Sequence, residues 1–408
     1  MLIQFNFDNY KSFFHEASLD MTATSIKEHS YNLISSTDSK DKYIKVAAIY
    51  GANASGKSNV IEAFHFMAAF VGSSFKLATE IKTVPVRSFA FTEEQKSSMF
   101  EVFFVRNGYE YQYGYLVDKN QVLEEWLYQK KAYSSHKPKT IFERQGEDFN
   151  IPDLLEAKNF KTMVLPKTLF LSILSNAKIP VIKEVFDWFK DVVVFDFGDA
   201  AFEDRLARSI PSAIKNPSYQ KEIVHFLNAI GVPIDKLLVK TEKVDDKEIY
   251  EIFSSYNHSG KDVILHFNDE SSGTIKMFTL FIWIKNVLQN GSIMFIDELD
   301  AKLHPLLLRY VITMFHDEKT NPNNAQLVYT THDNYTLTKD LFRRDQIWFV
   351  EKKKDLTSEL YSLAEYKLDN SHKVRNDASY NKDYLLGRYG GVPVLKEFDM
   401  WGSYDEKD

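Results

Sequence analysis

The sequence predicts an α/β fold with a flanking antiparallel β-sheet and a helical insertion. Three observations predict it. An apolar run from Ile44 to Tyr50 passes through a glycine-bearing loop into a helix-patterned segment. Val263 to Val350 alternates strand-like and helix-like stretches, and two of its apolar strands end in polar side chains. Met99 to Arg106 and Tyr109 to Val117 flank Asn107-Gly108, the dipeptide of a two-residue hairpin.

Taken in order, Ile44 to Tyr50 reads as a buried strand. Gly51-Ala52-Asn53-Ala54-Ser55-Gly56-Lys57-Ser58 then turns it into a helix from Lys57 to about Val71, with Val60, Ile61, Phe64, Met67, Ala68 and Val71 at helical spacing. The loop has the form G-x-x-x-x-G-K-S of a phosphate-binding loop. Its chemistry is that of the backbone: glycines let successive N–H groups converge on an anion at a helix N-terminus, whose dipole also favours negative charge. Lys57 would reach the β and γ phosphates and Ser58 would offer a hydroxyl to magnesium. A plain Gly-Ser helix cap is the bland alternative, and the complete motif between strand and helix outweighs it.

Tyr109, Tyr111, Tyr113 and Tyr115 alternate on one side of the second hairpin strand. Sheet packing accounts for the row better than a platform for stacking bases. Phe170 to about Asn228 reads as mostly helical, broken near Pro180, Gly198, Pro211 and Pro217. Glu270-Ser271-Ser272-Gly273-Thr274 precedes an apolar helix; the small residues serve either as its N-cap or as an anion receptor. Ser292 to Asp297 is an apolar strand that ends in Asp297-Glu298, which puts two carboxylates at the carboxyl edge of a parallel sheet, where α/β sheets bind ligands. Asp297 would hold magnesium and Glu298 would polarise the attacking water. After the loop Asn321-Pro322-Asn323-Asn324, Gln326 to His332 is another apolar strand, and His332 at its end can contact the γ-phosphate and the water. A lone histidine is usually structural; the strand-end position reverses that reading. The tail, Asn370 to Asp408, is polar and rich in Tyr and Gly.

Composition bounds the rest. The chain has 408 residues, 44% apolar and 26% charged, an ordinary globular balance with ample length for a large core. It has no cysteine, which excludes disulfides and thiolate metal sites and fits a reducing cytoplasm. Met1 to Asp8 lacks the basic flank and apolar core of a signal peptide, and the apolar stretch Met277 to Ile284 is too short to span a bilayer. A net charge of −7 gives nucleic-acid binding no global support.

The order of these motifs resembles that of ABC-type ATPase heads of the SMC and RecF-like branch, and most of all the overcoming-lysogenization-defect and RloA-like ATPases of prokaryotic phage-defence operons. Phe7-Asp8-Asn9-Tyr10-Lys11-Ser12-Phe13 resembles the family's N-terminal strand, and Gly51 to Asn59 its phosphate loop, with Asn53, Ala54, Ser55, Gly56, Lys57, Ser58 and Asn59 at nucleotide-binding positions. Ser271, Ser272 and Gly273 stand where the signature stands, although Ser272 replaces the usual first glycine. Asp297-Glu298 matches the carboxylate pair, Asp300 the D-loop aspartate and His332 the switch histidine; the tail from Tyr384 to Pro393 looks like the end of RloA-like chains. The resemblance implies an ABC-ATPase head with a helical insertion in place of a coiled-coil arm. It divides the chain into 1–169 with the phosphate loop and antiparallel sheet, 170–235 as the helical insertion, 236–369 with signature, carboxylate pair, D-loop and switch histidine, and 370–408 as the tail. The Q-loop falls, on this reading, near Phe170 to Asn176. ATP and Mg2+ are the implied cofactors, with Glu298, His332 and Lys57 as catalytic residues. The implied function is a slow cytoplasmic ATPase, a homodimer when ATP is bound or a higher homo-oligomer of dimers, that senses a trigger and controls an effector in antiphage defence. The stretch after His332 is short for a fused nuclease, so a separate nuclease or toxin is expected. A RecF-like DNA-repair or clamping ATPase and a nucleotide-gated scaffold with negligible turnover are the alternatives; DNA stays open as a partner, and no membrane is implied.

Overall fold

The structure is a computed structural model; it describes residues 1–35, 41–77, 79, 80, 82–199, 210–244, 247–367, 374, 375 and 378–393. A six-stranded sheet lies at its centre. Its order is β11 (Val193–Asp196), β15 (Ile293–Asp297), β16 (Gln326–Thr330), β5 (Val46–Gly51), β17 (Ile347–Lys352) and β18 (Ser358–Ser362). The first five strands are parallel and β18 closes the edge antiparallel to β17. All residues of β5, β15 and β16 are buried, as continuous apolar runs covered on both faces require.

The two-residue period of these strands feeds two separate cores. Ala47, Ile49, Ile293, Phe295, Val328, Trp348 and Val350 face one side. There they meet α1 (Lys57–Leu77), α2 (Phe170–Leu174) and α3 (Pro180–Asp191). Val46, Ala48, Tyr50, Met294, Ile296, Leu327, Tyr329, Ile347 and Phe349 face the other. That side is covered by α4 (Pro217–Ala229), α5 (Ser272–Asn290) and α6 (Pro305–His316), and Tyr380 and Tyr384 of α7 (Tyr380–Leu385) join it.

The second layer beyond α1 is a seven-stranded antiparallel sheet. Its order is β10 (Asp148–Asn150), β9 (Lys139–Gln145), β8 (Val122–Lys131), β7 (Tyr109–Val117), β6 (Ser98–Arg106), β1 (Leu2–Asp8) and β2 (Ala17–Asp20). The hairpin of β6 and β7 turns at Asn107 and Gly108, with φ of 49° and 78°, the positive pair that a two-residue turn of matching twist needs. Tyr111, Tyr113 and Tyr115 are buried in the core, so the tyrosine row packs the sheet, and only Tyr109 is exposed. Because α1 is covered by both sheets, it is apolar nearly all round: Phe64 stacks on Phe295 at 4.1 Å on one side and meets Phe5 edge-on at 5.1 Å on the other. This accounts for its being the one described helix long and apolar enough to cross a membrane. It also runs past Val71 to Leu77, because the antiparallel sheet and α2 continue to cover its last turns.

Two expectations need correction. The segment 170–235, read as a helical insertion, is helical at both ends but contributes β11 to the central sheet; Asp196 pairs with Asp297 in register. Phe170 to Asn176 does not reach the phosphate loop. It begins with α2, wholly buried against the far end of α1, where Ser172 Oγ accepts from Phe75 N and Ser74 Oγ from Leu169 N. A further element was unforeseen. A three-stranded antiparallel sheet, β12 (Lys236–Val244), β13 (Lys247–His258) and β14 (Lys261–His266), leads into α5, and the pair β3 (Leu33–Ser35) and β4 (Lys42–Ile44) stands before β5. The tail is described over 374, 375 and 378–393 only, where Tyr384 donates to Gly391 O at 3.1 Å and Tyr361 to Tyr389 O at 2.7 Å.

Candidate functional site

The parallel strands end at one edge, and the site is built there. β5 gives way to the loop Ala52 to Gly56, and α1 starts at Lys57. Gly56 has φ of 108°, and a Cβ there would lie 2.4 Å from Ser12 Oγ and 2.8 Å from Ser358 Oγ, so the position admits only glycine. Lys57 is buried, and its ammonium donates to Gly51 O at 2.9 Å and Ala52 O at 3.0 Å. Burial pushes this lysine below its ordinary pKa, and Asp297, Glu298 and Asp300 pull it back up.

A cavity of about 740 Å³ opens over the loop, lined by Ser12, Asn53, Ala54, Gly56, Lys57, Ser58, Asn59, Glu298, His332 and Lys352. Five segments remote in sequence meet there. Asp297 is buried at the end of β15, and its carboxylate accepts from Thr330 Oγ1 at the end of β16. The same Thr330 hydroxyl accepts from Glu298 N at 2.8 Å, and Thr330 O accepts from Leu299 N at 3.1 Å. Thr330 thus sets both carboxylate positions. Glu298 has φ of 51°, the left-handed region, which costs a non-glycine residue about 1 kcal/mol or more and aims its side chain off the strand line. Asp300 does not line the cavity; its carboxylate accepts from His332 N at 3.3 and 3.2 Å. The His332 ring opens to the cavity, and loss of water around it and the Lys57 charge push it below the ordinary histidine pKa, against the pull of Asp300, Glu298 and Asp297.

The residues present fit a nucleoside triphosphate with a hard divalent cation. The loop offers a buried Ser55 hydroxyl with no protein partner, converging backbone and a lysine; Ser58 lines the cavity, while Asp297 is buried and not among the lining residues, and both carry the oxygen donors that magnesium prefers. Ser271, Ser272 and Gly273 are not among the lining residues. Ser271 Oγ accepts from Thr274 N at 3.1 Å and caps α5, while Ser271 and Ser272 stay exposed at the surface.

Residues 46–338 match the family described as "AAA domain, putative AbiEii toxin, Type IV TA system". The chain belongs to this AAA-domain family. No curated protein matches its sequence. Among solved structures it is similar to an Smc head bound to the C-winged helix domain of ScpA, at 12% identity, covering 91% of this chain and 99% of that chain with a TM-score of 0.44. It is also similar to the recombination mediator protein RecF of the RecFOR pathway. The structure with ATPrS shares 12% identity over 88% of this chain and 98% of that chain, with a TM-score of 0.32. The structure with ATP shares 12% identity over 88% and 97%, with a TM-score of 0.34.

Sequence reading of this AAA-domain protein missed Ser12, Lys352, Thr330, Lys276 and Asp196. Asp196 stands beside Asp297, and burial together with the Asp297 charge holds its carboxyl above the usual range. Thr330 and Asp196 carry a weak sequence signal, a polar residue closing an apolar strand. Ser12 and Lys352 carry none, because only the folding of β1 and β17 around the loop brings them near.

Proposed function

We propose that the protein binds and hydrolyses ATP as an ATP-dependent dimer and thereby controls a separate effector in antiphage defence, in the cytoplasm. The convergence of Lys57, Ser58, Glu298 and His332 on one cavity over the phosphate loop carries the reading. In this mechanism the phosphate oxygens of ATP replace the Gly51 and Ala52 carbonyls as partners of the Lys57 ammonium. Ser58 and Asp297 would hold magnesium, which would supply charge neutralisation at the phosphates. Glu298 orients the attacking water and takes up its proton as the new P–O bond forms; the γ-phosphorus bond to the bridging oxygen breaks and leaves ADP and phosphate. His332 hydrogen-bonds the γ-phosphate. The exposed Ser271, Ser272 and the α5 N-terminus then meet the γ-phosphate of a second copy, and Asp300 lies at that junction. The family description, with its toxin and TA system, supports a two-part system of sensor and effector; the motifs also resemble those of OLD and RloA-like proteins.

The test is direct. Glu298→Gln should keep ATP affinity and lose about 100-fold or more in turnover, whereas Lys57→Ala should weaken ATP binding itself. Normal turnover by the Glu298→Gln protein would remove the assignment. Phage plating on cells carrying the gene and its neighbours, wild type against Glu298→Gln, tests the defence role. Turnover stimulated by duplex DNA alone would favour a DNA-clamping ATPase instead.

A further inference from the structure

Lys276 lies on α5, one turn beyond Ser271, Ser272 and Gly273, and it is buried. Its ammonium donates to Glu298 O at 3.3 Å, Leu299 O at 2.9 Å and Ala301 O at 2.7 Å. The ring of Phe197 lies beneath it, 3.9 Å to the centroid, and Phe197 N donates to Asp297 O at 3.2 Å. A charge this buried is held only by partners that satisfy it, and an ammonium has three donors to give. The carbonyls it gathers belong to the turn that follows Asp297, where Glu298 has φ of 51° and Lys302 of 61°. A turn with two left-handed residues needs an external hold, and Lys276 supplies it at the centre. A second contact ties the same two elements. A Cβ on Gly273 would lie 3.1 Å from Lys302 O, so the helix start and the turn are in close contact.

We infer that Lys276 is a positioning residue that locks the start of α5 to the Glu298 turn of its own chain. Because Asp300 in that turn holds His332 N, the lock extends to the histidine. A ligand that engages Ser271 to Gly273 from outside therefore bears on the aim of Glu298 within the same chain. The inference rests on the proposed ATPase reading and adds the internal link by which one site would report to the other.

The experiment is a double-mutant cycle on the full chain with Mg2+ and ATP, combining Lys276→Met and Glu298→Gln. Lys276→Met should lower kcat about tenfold or more, the cost of a misaimed group, with affinity for a fluorescent ATP analogue within about twofold of wild type. In the Glu298→Gln background the same change should add no further loss, because Lys276 acts through Glu298. Amide exchange at Leu299 and Ala301 should quicken. Lys276→Arg, which keeps the charge with a different reach, should give an intermediate kcat at near-normal melting temperature, and it serves if the Met variant fails to fold. Equal losses in both backgrounds, or an unchanged kcat in Lys276→Arg, would overturn the inference. Normal turnover by Glu298→Gln alone would instead overturn the ATPase assignment on which it stands.

Discussion

Thr330 shows how one side chain organises the carboxyl edge of the central sheet. Its hydroxyl donates to the Asp297 carboxylate and accepts from Glu298 N, so the two acidic residues are set by a single group on the neighbouring strand. Thr330→Val keeps the shape and removes both bonds. We expect turnover to fall about tenfold or more, since Glu298 loses its backbone anchor. The folded state should lose about 1–3 kcal/mol, the cost of leaving buried polar groups unpaired. Steady-state kinetics and urea unfolding on the same preparation check both. The places of Lys57 and Asp297, at a helix start and a strand end, were readable from the sequence because each belongs to a motif whose spacing is fixed by local backbone. Thr330 and Lys276 were not, because their partners lie on other strands and helices.

At the scale of elements, α6 ends inside the protein on a histidine. His316 is buried, with Nε2 3.0 Å from Gln346 Nε2 of the loop before β17, and Lys45 donates to its carbonyl at 3.1 Å. Burial, and then the Lys45 and His29 charges, lower its pKa to about 3. An unfolded histidine titrates near 6.5. The folded value is the lower one, so the unfolded chain binds the extra proton. Stability is complete above about pH 6.5 and is lost progressively as the pH falls from there towards 3. By pH 5 the loss from this group should be about 2 kcal/mol. Urea unfolding at pH 7 and pH 5 should show that slope in the wild type and a shallower one in His316→Gln. An equal slope in both would mean that other groups carry the acid sensitivity. The helix falls within the stretch that reads as alternating strand and helix, but the buried histidine at its end was indistinguishable in sequence from a surface one.

At the scale of the whole molecule, the phosphate-loop cavity and the exposed start of α5 occupy different places on the surface. Neither Lys57→Ala nor Ser271→Arg should have normal ATPase activity alone. Mixed under conditions of subunit exchange, they should regain part of it, because a hybrid dimer retains one site with an intact loop and an intact facing helix start. Ser271→Arg also removes the cap on Thr274 N, worth about 1 kcal/mol, too little to unfold a chain with two large cores. A mixing titration of ATPase rate, with hybrid dimers verified, decides it. No recovery would confine Ser271 to capping its own helix.

The sequence by itself determined the phosphate loop, the hairpin at Asn107-Gly108, the strands ending at Asp297 and near His332, and hence the α/β class. Each of these is written in local periodicity, turn chemistry or a contiguous motif. Only the tertiary structure decided that β11 lies beside β15, which turned an expected helical insertion into part of the central sheet. A four-residue strand has too few positions to show a period against the helices around it. Tertiary structure also decided that Lys276 points under the Glu298 turn rather than into solvent. A lysine is usually a surface residue in sequence terms; what buries this one is a set of carbonyls that exists only once the turn, the strand and α5 have packed together.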